Sequence, residues 1–307
     1  MSSLVIKQLT KSFGSHTAVH PLNLTIREGK CTALLGPNGA GKTTTLHMLT
    51  GLLKPTSGTV SLRTSAGKSV DSDLRPHLGF LPQAPSFSDW MTGREWLRFI
   101  GKLSGLSRKE AASRAGQWLE TTGLTEAADR RIGGYSGGMR QRLGLAQAMI
   151  HEPSILLLDE PVSALDPIGR REVMSLLQSM KGEITLLFST HVLHEVEELC
   201  DDLVLMKEGS IVKQGEWAEL RKESEGTVIT IEVERFSEMQ DWLSSLSQLP
   251  SITKTEISGY TAALHTNDMN KTRQALLQEV QRKRIPLSRF DAGVISLEQL
   301  FMEVVAR

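Results

Sequence analysis

Short apolar runs alternate with helical stretches over the first 222 residues. The runs at residues 31–35, 154–158, 184–189 and 203–206 are almost continuously hydrophobic. Runs of this kind are typical of central parallel strands that are covered on both faces. Because helical stretches separate them, the pattern predicts an α/β fold, in which crossover helices flank a largely parallel sheet.

Residues 92–122 follow a different pattern. Trp96, Leu97, Ile100 and Leu103 recur at near-helical spacing, and no strand pattern interrupts them. We therefore expect a helical subdomain, at about residues 84–150, inserted into the α/β domain.

The charged segment KESEG at residues 222–226 reads as a linker. After it, Ile229, Ile231 and Val233 alternate with polar residues, as in a strand with one buried face. A helix with Phe236, Met239, Trp242, Leu243 and Leu246 on one side is expected next. Strands near 252–257 and 260–265, a helix near 269–280 and a short run around 285–290 would follow. The pattern predicts a small C-terminal α+β domain, 226–307, of the split βαβ type beside a domain at 1–222.

A final helix is predicted near the C-terminus. Ser296 and Gln299 form a capping box, and an apolar stripe follows. The stripe comprises Leu297, Leu300, Phe301, Val304 and Val305. It would pack on its own domain or dock onto a partner subunit.

Charge and composition exclude several classes of protein. The 35 basic side chains balance 35 acidic ones, so the long-range attraction to nucleic acid is missing and no nucleic-acid partner is expected. No apolar run approaches the roughly 18 to 20 residues of a membrane span, and no secretory signal is visible at the N-terminus. The expected location is the cytoplasm, with Cys31 and Cys200 as buried thiols.

Residues 36–44 read GPNGAGKTT, which matches a phosphate-binding loop directly after an apolar strand and before a helical run. Its glycines allow successive backbone N–H groups to converge on phosphate oxygens. The helix N-terminus adds partial positive charge. Lys42 would neutralise the β and γ phosphates, and the Thr43 hydroxyl would ligate Mg²⁺.

A second apolar strand ends in two adjacent carboxylates, Asp159 and Glu160. The first could hold Mg²⁺, and the second could act as general base for an attacking water. Together with the upstream phosphate loop, this pair predicts a site that hydrolyses nucleotide.

The segment YSGGMRQR at residues 135–142 resembles the LSGGQ signature of ABC ATPases. Other motifs of that family occur along the chain in the expected order: Gln83 in FLPQ before the signature, and ALD at 164–166 and His191 in FSTH after it. Phe13 stands where the family has an aromatic residue. The resemblance covers about residues 4–220 and implies an ABC-type ATPase domain with its helical subdomain.

The resemblance implies a role for each matching residue, with ATP and Mg²⁺ as ligands. Phe13 would stack on adenine, and Glu160, His191 and Lys42 would be catalytic. The signature residues Ser136, Gly137 and Gly138 would act on the ATP of a second subunit, and Asp166 would form the D-loop. The metal ligands would be Thr43, Gln83 and Asp159. The full set expected around ATP is Phe13, Gly36, Pro37, Asn38, Gly39, Ala40, Gly41, Lys42, Thr43, Thr44 and Gln83.

Two partners are implied: a transmembrane permease on a separate chain, and a second ATP-binding subunit, with a homodimer favoured over a heterodimer. The protein would then lie on the cytoplasmic face of the cell membrane. Tyr135, where many ABC ATPases have Leu, and the ending SLEQLFMEVV resemble exporters of the drug and lantibiotic type. The alternatives are an importer ATPase and a non-transport ABC ATPase that acts on ribosomes or DNA.

Other candidate functional residues have a structural interpretation. The acidic stretch HEVEE at residues 194–198 lacks a second histidine at the i+4 position and is interpreted as a solvated helix face. Trp90, Met91 and Trp96 would either face a permease or pack in the core. No metal site is expected from the histidines other than His191.

Overall fold

The computed structural model describes residues 2–64, 69–70, 73–163, 165–223, 228–234, 237–249, 251–292 and 301. The chain divides into two compact units, Met1–Gly215 and Glu216–Arg307. Most of the linker expected at 222–226 lies outside the described residues, so that boundary stays a prediction. In the described part of the chain, no helix is long and apolar enough to cross a membrane.

The first unit combines an antiparallel sheet, a mainly parallel sheet and six helices among its described residues. In chain order its elements are β1 Ser2–Phe13, β2 His16–Ile26, β3 Cys31–Leu35, α1 Lys42–Leu49, β4 Ser57–Thr64, β5 Ser69–Val70, β6 Leu78–Leu81, α2 Gly93–Leu103, α3 Arg108–Thr121, α4 Gly137–Met149, β7 Ile155–Asp159, α5 Pro167–Met180, β8 Thr185–Thr190, α6 Leu193–Leu199, β9 Asp202–Lys207 and β10 Ser210–Glu216.

The larger sheet has the strand order β10-β9-β3-β8-β7-β6, and strands β9, β3, β8, β7 and β6 run parallel. Every residue of β3, β7 and β8 is buried, as expected from their apolar runs. The smaller sheet has the order β2-β1-β4-β5 and is antiparallel. Because β3, β7 and β8 are parallel neighbours, their carboxyl ends meet at one edge of the sheet.

Helices α2 and α3 begin at capping boxes, Thr92 with Glu95 and Ser107 with Glu110. Together with α4 they enclose a core of apolar side chains from all three helices. Tyr135 belongs to this core, and its hydroxyl donates a hydrogen bond of 2.6 Å to the carbonyl of Ala127. The helices expected at 92–122 are therefore present.

The second unit contains a four-stranded antiparallel sheet with the order β12-β13-β11-β14. Its elements are α7 Trp217–Glu223, β11 Val228–Val233, α8 Ser237–Ser245, β12 Ile252–Ser258, β13 Thr261–Thr266, α9 Met269–Lys283 and β14 Leu287–Ala292. From β11 to β14 the succession is βαββαβ, which confirms the expected split βαβ class. Ile229, Ile231 and Val233 face the core. Apart from Phe301, the final helix expected at 296–305 lies outside the described residues.

Cys31 and Cys200 are buried free thiols, which confirms their interpretation. Burial raises the pKa of Cys200 to about 12 and raises the pKa of Cys31 as well. Both thiols therefore stay protonated and unreactive at neutral pH.

Candidate functional site

A cleft of about 600 Å³ opens at the carboxyl ends of the parallel strands. Ligands of α/β sheets bind in this position because the loops that follow adjacent strands converge there. The lining comes from the loop after β3, the start of α1 and the segments that follow β6, β7 and β8, with a contribution from β2. The lining residues are His16, Ala18, Asn38, Gly39, Ala40, Gly41, Lys42, Thr43, Thr44, Gln83, Glu160, Ser163 and His191.

Between β3 and α1, the glycines permit a conformation that other residues would resist. Gly39 and Gly41 have φ of +82° and +97°. A Cβ on Gly41 would lie 2.9 Å from the carbonyl oxygen of Ala18, and one on Gly36 would clash with the carbonyl oxygen of Met206. Gly41 is the N-cap of α1, so the unpaired N–H groups of the helix and its partial positive charge mark the cleft as an anion site.

Lys42 is the first residue of α1 and is only 5% exposed. Its Nζ donates hydrogen bonds of 2.7 Å to the carbonyl of Gly36 and 3.1 Å to that of Pro37. Burial lowers the pKa of Lys42, although the negative charges of Glu160 and Asp159 act in the opposite direction. The ammonium group is thus held within the loop and beside the cleft.

Asp159, at the end of β7, is 2% exposed and accepts two side-chain hydrogen bonds at one oxygen, Oδ1. Thr43 Oγ1 donates at 3.1 Å and Ser189 Oγ at 2.6 Å. A hydroxyl and a carboxylate beside a phosphate-binding loop form the oxygen donor set that Mg²⁺ prefers. The residues present therefore fit this ion.

Both carboxylate oxygens of Glu160 have a polar partner. Gln83 Nε2 donates to Oε2 at 3.0 Å, and His191 Nδ1 lies 3.0 Å from Oε1. This contact is a hydrogen bond when His191 carries a proton on Nδ1. The backbone of Glu160 has φ of +45°, and its N–H donates to the carbonyl and the hydroxyl of Ser189. This strained conformation turns the side chain toward the cleft.

The structure thus brings most of the residues expected at the site into one cleft. Phe13 is not among the lining residues: its ring is 51% exposed, and Lys11 Nζ lies 4.9 Å from the ring centroid. Gly36, Pro37 and Asp159 support the lining residues through the hydrogen bonds described above.

The signature and D-loop residues lie outside the cleft lining. Ser136 caps α4 by accepting from the N–H of Met139 at 3.2 Å, and both Ser136 and Gly137 are exposed. Asp166 is exposed as well and caps α5 by accepting from the N–H of Gly169 at 2.7 Å. These groups are therefore accessible to a second molecule.

Several residues of the site were missed by the sequence analysis. His16, Ala18 and Ser163 line the cleft, and Ser189 joins Asp159 to Glu160. Ser189 could have been found from the sequence, because it lies two residues before His191 at the end of a buried strand. His16 had no local signal, because the β1-β2 hairpin brings it to the cleft.

The interpretation of residues 194–198 as a solvated face is wrong for Glu195. His194, Glu197 and Glu198 are exposed, but Glu195 is 3% exposed and accepts a hydrogen bond of 2.5 Å from Thr190 Oγ1. The physical reason is helical periodicity, since Glu195 shares the inner face of α6 with Leu199, four residues later.

Comparison with known proteins decides the family. The ABC transporter family profile matches residues 19–163, and that of the DrrA1-3-like ATP-binding protein C-terminal domain matches residues 215–305. An uncharacterised ABC transporter ATP-binding protein of Bacillus subtilis, YxlF, is 46% identical over 98% of this chain and 99% of its own length. The chain belongs to the ABC transporter ATP-binding proteins, in the DrrA- and BcrA-like exporter ATPase family.

Other relatives agree with this assignment. The bacitracin transport ATP-binding protein BcrA of Bacillus licheniformis is 38% identical over 72% of each chain. The Nod factor export ATP-binding protein I of Burkholderia lata is 37% identical over 88% of each chain. The cassette MJ0796, in a dimeric post-hydrolysis state bound to ADP and Pi, matches with a TM-score of 0.61 and 26% identity, over 69% of this chain and 98% of that one.

This ABC ATPase therefore binds and hydrolyses ATP, as the motifs predict. The expected fold, an ABC cassette followed by an α+β domain, is confirmed. ABC cassettes dimerise, as in the dimeric MJ0796 structure.

Proposed function

We propose that this chain powers an exporter, by hydrolysing ATP between two cassettes that are attached to a membrane permease on a separate chain. The observation that carries the chemistry is the position of Glu160. Its carboxylate lies in the cleft with Lys42 and Thr43, and Gln83 and His191 hold its two oxygens.

In this proposal the loop at residues 36–44 and the N-terminus of α1 cradle the triphosphate. On binding ATP, the ammonium group of Lys42 gives up its hydrogen bonds to the carbonyls of Gly36 and Pro37 and donates to oxygens of the β and γ phosphates. Phe13 stacks on the adenine ring from the exposed end of β1. Thr43, Asp159 and Gln83 would hold Mg²⁺, which neutralises charge that develops on the phosphates.

Hydrolysis then requires a water in line with the γ-phosphate. Its oxygen forms a bond to the γ-phosphorus while Glu160 accepts its proton, and the bond to the bridging oxygen of ADP breaks. When both ring nitrogens of His191 carry a proton, Nδ1 donates to Glu160 and Nε2 donates to the γ-phosphate. Glu160 and His191 thereby act as one unit.

A second cassette completes the site in this proposal. Ser136, Gly137 and Gly138 lie outside their own cleft lining, at the N-terminus of α4, where N–H groups and the helix dipole suit an anion. These residues would contact the ATP of the other subunit, with Asp166 beside them. We favour two copies of this chain, since each would supply a cleft and a signature.

Export is the direction favoured by the relatives, which include bacitracin transport and Nod factor export ATP-binding proteins. The chain would lie on the cytoplasmic face of the cell membrane against its permease. The balance of acidic and basic side chains argues against a nucleic-acid partner.

The experiment is affinity purification of the tagged Glu160→Gln variant from detergent-solubilised native membranes with ATP. This variant keeps the shape of the site but cannot accept the proton, so it is expected to bind ATP, lose turnover and accumulate the closed dimer. Mass spectrometry is expected to identify a polytopic membrane protein with it.

Glu183→Gln is the matched control, because Glu183 is exposed and should leave turnover unchanged. Normal turnover in Glu160→Gln would contradict the role of Glu160. Recovery of ribosomal proteins or DNA-bound factors without a membrane protein would contradict the transport proposal.

A further inference from the structure

The backbone on both sides of His191 is held by one buried pair. Thr190 Oγ1 donates to Glu195 Oε2 at 2.5 Å and accepts from the N–H of Val192 at 2.9 Å. Thr190 and Val192 are the neighbours of His191 in the chain, so the carboxylate of Glu195 restrains the segment that carries the histidine. The imidazole side chain of His191 contacts the carboxylate of Glu160.

Glu195 also has an unused oxygen. Among the described residues, its buried Oε1 has no hydrogen-bond partner, and neither has the buried Nε of Arg170 on α5. Burial raises the pKa of Glu195, whereas its hydrogen bond from Thr190 and the charge of Arg170 lower it. Burying a carboxylate and a guanidinium without full pairing costs free energy, and such groups are often retained for function.

We propose that Glu195 is a positioning residue for His191, acting through the hydrogen bonds that Thr190 Oγ1 makes with Glu195 and with the N–H of Val192. This inference rests on the proposed role of His191 in hydrolysis.

The test measures kcat and KM for ATP in the full-length chain, with thermal unfolding as a check on folding. Glu195→Ala is expected to lower kcat about tenfold or more with KM within about twofold, since misplacing a reacting group costs rate rather than affinity. Glu195→Gln, which keeps an acceptor for Thr190 but loses the charge, should recover part of kcat. The control is Glu197→Ala, at an exposed position of the same helix.

The decisive comparison is made in a His191→Ala background. There Glu195→Ala should change the residual kcat by less than about twofold, because it acts through a side chain that is no longer present. The same fold loss in both backgrounds, or full kcat in Glu195→Ala alone, would overturn the positioning role. Full kcat in His191→Ala would overturn the role of His191 itself, and absence of ATP turnover in the unmodified protein would contradict the proposed function.

Discussion

Ser189 donates a hydrogen bond of 2.6 Å to Asp159 from the neighbouring strand. The same hydroxyl accepts from the backbone N–H of Glu160 at 3.0 Å. One short side chain on β8 therefore positions both carboxylate residues at the end of β7. Because these strands are parallel neighbours, the three groups reach the cleft from one rigid edge.

Ser189→Ala should lower the rate of ATP hydrolysis without changing the shape of the cleft. Asp159 loses one of its two donors, and we expect about a tenfold loss in kcat and a fall of about 1–3 kcal/mol in the free energy of unfolding. ATPase assays over a range of free Mg²⁺ and urea denaturation measure these effects. Ser179→Ala is the control, since Ser179 is exposed and its hydroxyl donates to the carbonyl of Leu176 in its own helix. Equal kcat in the two variants would contradict the role of Ser189.

Lys42→Ala should weaken ATP binding by about a hundredfold, because it removes the buried positive charge beside the phosphate loop. Titration with a fluorescent ATP analogue measures the affinity. The control is Lys54→Ala, which removes the same charge at an exposed position and should bind ATP normally. Full ATP affinity in Lys42→Ala would remove the assignment of the phosphate loop.

Gly93→Ala should be destabilising only while the Tyr135 hydroxyl is present. A Cβ on Gly93 would lie 2.5 Å from that oxygen, which is held by Ala127. We expect a loss of about 1–3 kcal/mol in the unmodified background, as for overpacked cores. In a Tyr135→Phe background the same change should be nearly neutral. Denaturation of the four proteins of this cycle gives the coupling energy, and independent effects would argue against the contact.

Leu276→Ala should destabilise the second unit by about 2–5 kcal/mol, because this side chain is fully buried in its core. Leu277→Ala, at the next position of α9, removes a side chain that is 45% exposed and should cost less than about 1 kcal/mol. Thermal unfolding compares the two variants. Similar shifts in both would contradict the packing of α9.

Much of the fold was predictable because its signals are local. The continuous apolar runs correspond to strands, Thr92 and Ser107 begin capping boxes, and Ile229, Ile231 and Val233 alternate as expected. Periodicity and capping depend on residues a few positions apart, so they can be read from the chain directly.

The sequence alone determined the phosphate loop, the carboxylate pair and the order of the motifs, since each depends on residue types at fixed spacing. Only the tertiary structure decided how they meet. Gln83 reaches Glu160 across 77 positions and His191 reaches it across 31. Likewise, burial of Glu195 depends on which face of α6 packs inward. Such contacts follow from the pairing of parallel strands and the docking of helices, which bring distant residues to one edge of the sheet.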